Sequence, residues 1–132
     1  MGFFARILGI CETKPPIHAD CWSFKDGKVR IDLSKAPEFD ASGGAIRLEG
    51  KALPVRVLVL RSENDRFRAF KNKCTHMGRR LDPLSDSSEI RCCSVSKSTF
   101  DENGEYISGP VQKALTPYEV TVKSDQLEIA IR

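Results

Sequence analysis

Two short stretches, Cys74-Thr75-His76 and Cys92-Cys93-Ser94-Val95-Ser96, hold three of the five cysteines and one of the two histidines. They lie between Lys71 and Leu115, where the strand pattern of the flanking sequence loosens. A long irregular segment inside a compact domain is uncommon unless it carries function. Alternate residues of an extended loop point the same way, so the Cys-x-His spacing directs both side chains to one site. The pattern therefore predicts two loops, each led by a thiolate, that hold a metal cluster between them.

Short apolar stretches separated by turn residues flank this segment on both sides. Val55–Leu60 is mostly β-branched and apolar, which is typical of a central strand. The turns Glu63–Asp65 and Ser124-Asp125 each predict a hairpin. Only the first ten residues and Ser34–Phe39 favour helix. The fold class is therefore predicted to be all-β, an antiparallel barrel or sandwich. The predicted strands are Lys28–Leu33, Ala45–Glu49, Val55–Leu60, Arg66–Phe70, Tyr118–Val122 and Gln126–Ile131.

Length and composition limit the chain to one ordinary domain. It has 132 residues, of which 40% are hydrophobic and 30% charged. A formal net charge of +3 is far from that of a dedicated nucleic-acid binder. No run approaches the roughly 20 apolar residues of a membrane span. The odd cysteine count, with one adjacent pair, argues against a disulfide framework and for reduced thiols in a cytoplasm.

The N-terminal stretch, residues 1–27, is predicted to be an extended lead-in to a domain over residues 28–132. Its apolar start at residues 2–10 is interrupted by Arg6 and is too short for a secretory signal. We therefore expect a short docking segment that permits peripheral attachment to a partner. His18 and Cys21 are expected to have no special chemistry.

The sequence from about Lys28 to Ile131 resembles the Rieske iron–sulfur domain. That family's motif is Cys-x-His, 15 to 17 residues, then Cys-x-x-His, with two cysteines on one iron and two histidines on the other. The sixteen residues from Met77 to Cys92 fit this spacing. The resemblance extends to three further segments: Ser98-Thr-Phe-Asp101 with the turn Asn103-Gly104, the proline loop Ser108-Gly-Pro110, and the closing strands Ala114–Val120 and Leu127–Ile129.

The resemblance implies a soluble ferredoxin-like electron carrier with a 2Fe–2S cluster held by loops at about 72–110. Cys74, His76 and Cys93 match ligand positions, and Ser98 matches a serine that donates a hydrogen bond toward the cluster. Pro110 matches the proline loop that covers the cluster, and Gly78 is a further residue expected to contribute to cluster binding. The extra cysteine of high-potential members is absent, because Arg79 follows Gly78. The catalytic domain of ring-hydroxylating oxygenases is absent too.

One ligand position departs from the family pattern, because Ser96 stands where the second histidine belongs. Three outcomes follow. A 2Fe–2S cluster is retained, with Cys92, Ser96 or water as fourth ligand; a mononuclear ion such as zinc binds instead, with Cys74, His76 and one of the adjacent cysteines; or the loops hold no metal. Cys92 also has a simpler interpretation, as a small buried apolar side chain.

Two classes of function follow from these outcomes. In the first, the chain is a one-electron carrier to or from a redox partner protein, steered by a basic segment near the cluster. In the second, it is a cluster-free Rieske-fold subunit or interaction module of a larger redox complex. A third interpretation is an accessory subunit that resembles the small subunit of assimilatory nitrite reductase, whose Rieske-like fold can lack the cluster ligands. The basic residues of that segment are Arg61, Arg66, Arg68, Lys71, Lys73, Arg79, Arg80 and Arg91.

Overall fold

The computed structural model describes residues 13–40, 43–62, 66–73, 80–83, 89–92, 98–101, 103–108 and 114–131. These residues form eleven β-strands and three short 3-10 helices, and they contain no α-helix, which confirms the all-β prediction. The strands are β1 Trp22–Lys25, β2 Lys28–Asp32, β3 Ala45–Leu48, β4 Val57–Arg61, β5 Phe67–Lys71, β6 Leu81–Pro83, β7 Glu89–Cys92, β8 Thr99–Asp101, β9 Tyr106–Ser108, β10 Pro117–Lys123 and β11 Gln126–Ala130.

Two antiparallel sheets make up the fold. The larger has the order β1-β2-β11-β10-β5-β4-β3, and the smaller has the order β6-β7-β8-β9. Both predicted hairpins are present as antiparallel pairs, β4 with β5 and β10 with β11. The smaller sheet is inserted between β5 and β10, which is the part of the chain where the sequence analysis predicted functional loops.

Strand β4 contributes to two hydrophobic cores at once. Val57 and Val59 pack in the core enclosed by the large sheet, whereas Leu58 and Leu60 pack between the large sheet and the small one. All four side chains are fully buried. The unbroken apolar run therefore has a direct cause, because a strand covered on both faces has no position for a polar side chain.

A glycine joins the small sheet to the large one. Gly104 lies in the turn between β8 and β9 at a φ of +85°, and a Cβ built there would be 2.8 Å from Cε1 of Phe70 in β5. The Asp101 side chain holds this turn by accepting from the backbone N–H groups of Asn103 and Glu105. The predicted Asn103-Gly104 turn is thus present, and it is also a packing contact between the two sheets.

The segment before Lys28 is part of the fold. Trp22–Lys25 pairs with β2 as an edge strand, and a 3-10 helix at Ala19–Cys21 precedes it. Further upstream, Thr13 is buried, and its backbone N–H donates to Oδ1 of Asp82 in β6 at 2.9 Å. The sequence analysis did not predict a strand here. Residues 2–10, the expected docking segment, lie outside the described residues.

The predicted helix at Ser34–Phe39 is wrong in detail. Two separate 3-10 helices, Leu33–Lys35 and Pro37–Phe39, occupy this stretch. Pro37 disfavours the helical conformation for the preceding residue, and Ala36 accordingly has φ −124° and ψ 72°. In the part of the chain that the structure describes, no helix has the length and apolar character needed to cross a membrane.

Candidate metal centre

The first candidate loop is closed at its base by a side chain. Asn72 follows the last residue of β5, and its Oδ1 accepts a hydrogen bond from the backbone N–H of Leu81, the first residue of β6, at 2.8 Å. The backbone N–H of Asn72 donates to the Arg56 carbonyl, also at 2.8 Å. Asn72 is 1% exposed. A single buried amide therefore fixes both ends of the segment that contains Cys74 and His76.

The second candidate loop is closed in a similar way, by the backbone. Cys92 ends β7, and its N–H donates to the carbonyl of Ser98 at 2.8 Å, just before β8 begins. Leu81 and Cys92 are direct partners in the β6–β7 pairing. The bases of the two loops consequently lie side by side on adjacent strands, as a site shared by two loops requires.

Most of the predicted site residues lie within these loops and outside the residues that the structure describes. Cys92 and Ser98 are described, because they flank the second loop. No group of three metal-ligating side chains comes together within the described ranges. The predicted site residues that lie outside the described ranges are Cys74, His76, Gly78, Cys93, Ser96 and Pro110.

Cys92 lies in the core between the two sheets. It is fully buried, in a cluster that includes Leu58, Phe70, Ile90 and Phe100. Ile90 and Cys92 are the two buried positions of β7, so they share its inner face. This location favours the interpretation of Cys92 as a buried apolar side chain, and its role as a metal ligand stays a prediction.

Ser98 has a buried hydroxyl that lacks a hydrogen-bond partner among the described residues. The side chain is 0% exposed, and Oγ is fully enclosed. Leaving a buried hydroxyl without a partner costs about 1–3 kcal/mol. An acceptor at the second loop would remove this cost, and the sulfur atoms of an iron–sulfur cluster are acceptors of that kind. The donor chemistry at Ser98 therefore fits the cluster that the resemblance implies.

The positive charge of the basic segment is partly neutralised by a neighbouring acidic residue. Arg80 binds Glu49 through two hydrogen bonds, Nε to Oε2 at 2.8 Å and Nη2 to Oε1 at 2.9 Å. The hydrogen bond from Arg80 lowers the pKa of Glu49, although partial burial opposes this shift. Arg61 donates to the carbonyl of Phe39 and so has a structural role. Lys71 and Lys73 form no ion pair with any described residue.

Comparison with known families identifies the domain. Residues 30–119 match the family model described as the Rieske [2Fe-2S] domain, which covers more than half of the chain. The chain belongs to the Rieske family. The match includes both candidate loops and the strands β2 to β10 at least in part, so the family assignment and the two-loop geometry refer to the same part of the molecule.

Solved Rieske structures resemble this fold. The ferredoxin of carbazole 1,9a-dioxygenase from Nocardioides aromaticivorans IC177 has a TM-score of 0.59 at 22% identity, over 70% of this chain and 88% of that one. A chain in a complex of reduced oxygenase and oxidized ferredoxin in carbazole 1,9a-dioxygenase has a TM-score of 0.59 at 26% identity, over 67% and 82%. The plasma-membrane Rieske protein PetC3 from Synechocystis PCC 6803 has a TM-score of 0.53 at 20% identity, over 63% and 84%. No curated protein matches the sequence.

Asn72 is a residue that the sequence analysis missed. Its position two residues before Cys74 is visible in the sequence, but its partner Leu81 is nine residues away. Asparagine in a loop commonly bonds to a backbone group two residues on, so a local pattern would not have indicated this longer contact.

Proposed function

We propose that this Rieske-family chain carries one electron at a time, through a 2Fe–2S cluster held by the loops that follow Asn72 and Cys92. The observation that carries the proposal is the pairing of Leu81 with Cys92, which sets the bases of the two loops on adjacent strands. A bound 2Fe–2S cluster supplies a centre that gains and loses one electron reversibly. The family match and the similarity to ferredoxins support a Rieske-type electron-transfer protein.

The proposed ligands are Cys74, His76 and Cys93. Ser96 occupies the sequence position of the second histidine, so the fourth position falls to Ser96, to Cys92 or to water. The burial of Cys92 among Phe70, Ile90 and Phe100 favours Ser96 or water over Cys92. Ser98, whose enclosed Oγ has no hydrogen-bond partner among the described residues, is the proposed donor to a cluster sulfur.

The chain's own residues would hold the centre and limit its access to water. The core between the sheets lies beneath both loop bases and is made of fully buried side chains such as Leu58, Leu81 and Phe100. A protein sets the reduction potential of a cluster by placing apolar side chains around it and by donating hydrogen bonds to its sulfur atoms.

A redox partner protein is the proposed source or acceptor of the electron. One similar structure contains a ferredoxin in complex with its oxygenase, which supports a partner of that kind. We further propose that the protein works in a reducing compartment such as the cytoplasm, with docking through residues 2–10. Neither Cys21 nor Cys92 forms a disulfide, which supports this location.

A second candidate function follows from Ser96. A serine at a histidine position removes an imidazole ligand, so the fold would then serve as a cluster-free subunit or interaction module of a larger redox complex. The two candidates differ in a simple observable, which is the presence of iron.

Iron content and the visible spectrum of anaerobically purified protein test the proposal. About two irons per chain with broad visible bands are expected, and Cys74→Ser should remove both. The matched control is Cys21→Ser, which changes a buried thiol in the core of the large sheet and should leave the iron in place. Iron-free protein after attempted reconstitution would reject the electron carrier and leave the cluster-free module. Stoichiometric zinc without visible bands would identify the mononuclear site.

A further inference from the structure

The far half of strand β10 is an open edge of the large sheet. β10 runs from Pro117 to Lys123, but within the described residues its pairing with β5 covers Pro117 and Tyr118 only. From Glu119 onward the strand pairs with β11 on its other side. A cavity of about 220 Å³ lies where β5 and β10 separate, and Val120 is among the residues that line it. Residues 119–123 therefore form a free strand edge, here named the β10 edge.

The β10 edge presents unpaired backbone groups. The carbonyl of Thr116 accepts from the N–H of Lys71 at the end of β5 at 2.9 Å, so the backbone groups of Thr116 face β5. Every second residue of a strand directs its backbone groups to the same side, so those of Val120 and Val122 face this side too. Neither residue has a backbone partner there in the part of the chain that the structure describes. Such a row of N–H and C=O groups is a template for another strand.

An exposed valine lies on the same edge. Val122 is 55% exposed, although its antiparallel partner Leu127 is fully buried. Val120, two residues earlier, packs partly against the core of the large sheet. The edge strand β3 is different, because the N–H of Arg47 donates to the carbonyl of Lys14 at 3.1 Å and the lead-in thus covers that edge in part. Proteins usually cover or charge a strand edge, so an exposed valine on an open edge indicates a further strand that covers it.

The sequence of the β10 edge is complementary to itself in antiparallel orientation. A second copy turned about Thr121 places its Val122 opposite Val120 and its Lys123 opposite Glu119. This register makes the valine pairs the hydrogen-bonded ones, as the directions of their backbone groups require. Glu119 and Lys123 also have contacts within their own chain. The charges therefore select the register, and the backbone and the valines supply the contact.

We propose that the β10 edge pairs with the β10 edge of a second copy of this chain in a two-fold symmetric dimer. The N–H and C=O groups of Val120 and Val122 pair across the axis, and the valines of one copy cover those of the other. Two-fold dimers bury the same patch on both subunits, which a self-complementary strand provides. A short edge makes a small interface, so the dimer depends on protein concentration. The proposal uses none of the proposed metal ligands and does not depend on a bound cluster.

Sedimentation velocity of the full chain tests the proposal, from about 10 µM to about 1 mM. A reductant prevents disulfide-linked dimers. A reversible equilibrium between monomer and dimer is expected. Val122→Lys should weaken the dimer by about tenfold or more, because it replaces both valine pairs by a valine facing a charge. Ile107→Lys is the matched control, since Ile107 is an apolar residue of the edge strand β9 and is 46% exposed. It should change the dissociation constant by less than about twofold.

Charge reversal tests the register. Glu119→Lys and Lys123→Glu each place two like-charge pairs across the axis, so each should weaken the dimer by about tenfold. An equimolar mixture of the two variants again places opposite charges at both positions and should dimerise within about threefold of the wild type. Lys25→Glu reverses an exposed charge on β1 at the other edge of the sheet, and should leave the dimer within about twofold of the wild type.

A second variant guards against loss of folding. Val122→Pro removes an N–H that faces the open edge and leaves the hydrogen bonds between β10 and β11 in place, so it should also prevent dimerisation. Thermal denaturation of each variant separates loss of the dimer from loss of the fold.

The outcomes are distinct. Loss of the dimer in Val122→Lys with recovery in the mixture assigns the interface to the β10 edge. Monomers at every concentration overturn the proposal, and so does an equal loss in Ile107→Lys or a mixture that associates no better than either variant alone. A monomer that instead binds a peptide with the sequence of residues 117–125 would also overturn it, and would assign the edge to an extended segment of another protein.

Discussion

The Oδ1 atom of Asn72 lies 2.8 Å from the backbone nitrogen of Leu81 and so ties the end of β5 to the start of β6 across the first loop. Leu81 in turn pairs with Cys92, whose N–H donates to the Ser98 carbonyl. One continuous series of contacts thus connects the bases of both candidate loops.

Asn72→Leu should destabilise the fold by about 1–3 kcal/mol, because a side chain of similar size leaves the buried Leu81 N–H without an acceptor. Urea denaturation measures the change in the free energy of unfolding. Asn103→Leu is the control, because Asn103 is exposed in the β8–β9 turn and should change stability by less than about 0.5 kcal/mol. Equal effects of the two variants would contradict the role of Asn72.

Ser98→Ala should have different consequences in the cluster-bound and the cluster-free protein. With a cluster bound, loss of the Oγ donor removes stabilisation of the reduced form, so the reduction potential falls. Without a cluster, removal of an enclosed hydroxyl that has no partner in the described part of the chain stabilises the fold by about 1 kcal/mol. Voltammetry and urea denaturation distinguish these results. Ser23→Ala, at an exposed position of β1, should change neither quantity.

Cys92→Ala should retain the iron of the wild type and reduce stability by about 1 kcal/mol, because Cys92 packs among apolar side chains between the sheets. Iron analysis measures the metal content, and urea denaturation measures the free energy of unfolding. Ser96→Ala is the companion variant. Bleaching by Cys92→Ala, with Ser96→Ala unaffected, would identify Cys92 as the fourth ligand and contradict the interpretation of Cys92 as a core residue.

Gly104→Ala should destabilise the protein by about 3 kcal/mol. About 1–2 kcal/mol arises from placing a Cβ at a φ of +85°, and the rest from the 2.8 Å approach to Phe70. Gly50→Ala measures the cost of the positive φ alone. Gly50 has a φ of +94°, and no atom lies within 4 Å of the position that its Cβ would take. A similar loss in both variants, measured by thermal unfolding, would show that Phe70 adapts.

The ion pair between Glu49 and Arg80 should make part of the stability depend on pH. Folding lowers the pKa of Glu49, so its contribution is fully present above the ordinary value of 4.5 and is lost as the pH falls through the lower folded value. Both side chains are about one-third exposed, which limits the contribution to about 0.5 kcal/mol. Glu49→Gln should therefore lose this amount at pH 7 and nothing near pH 2. Glu105→Gln, at an exposed residue, should show no such difference.

The sequence predicted the large sheet well and the small sheet poorly, for a physical reason. The strand β4 and the two hairpins have five or more residues in each strand, with apolar patterns long enough to recognise. The strands β6, β8 and β9 have three residues each, too few to establish a period. The edge strand at Trp22–Lys25 was missed because it follows Pro15-Pro16 and is stabilised by pairing with β2.

The sequence singles out the Cys-x-His and Cys-Cys stretches and Ser98 as candidates, and their role in binding a cluster stays a prediction. The role of Asn72, in contrast, depends on a contact between residues that are far apart in the chain. Asn72 and Leu81 are nine residues apart, and the hydrogen bond between them joins the end of β5 to the start of β6.

The hydrogen bond from Thr13 to Asp82 bears on how the protein should be handled in the laboratory. It fastens the chain at Thr13 to β6, the strand onto which the first loop returns. In a version shortened to begin at Thr13, an affinity tag or fusion partner would therefore start beside the strand onto which the first candidate loop returns. At the opposite terminus, Ile131 donates to the carbonyl of Gly27 in the turn between β1 and β2. Tags for redox or binding measurements are accordingly better attached at the C-terminal end.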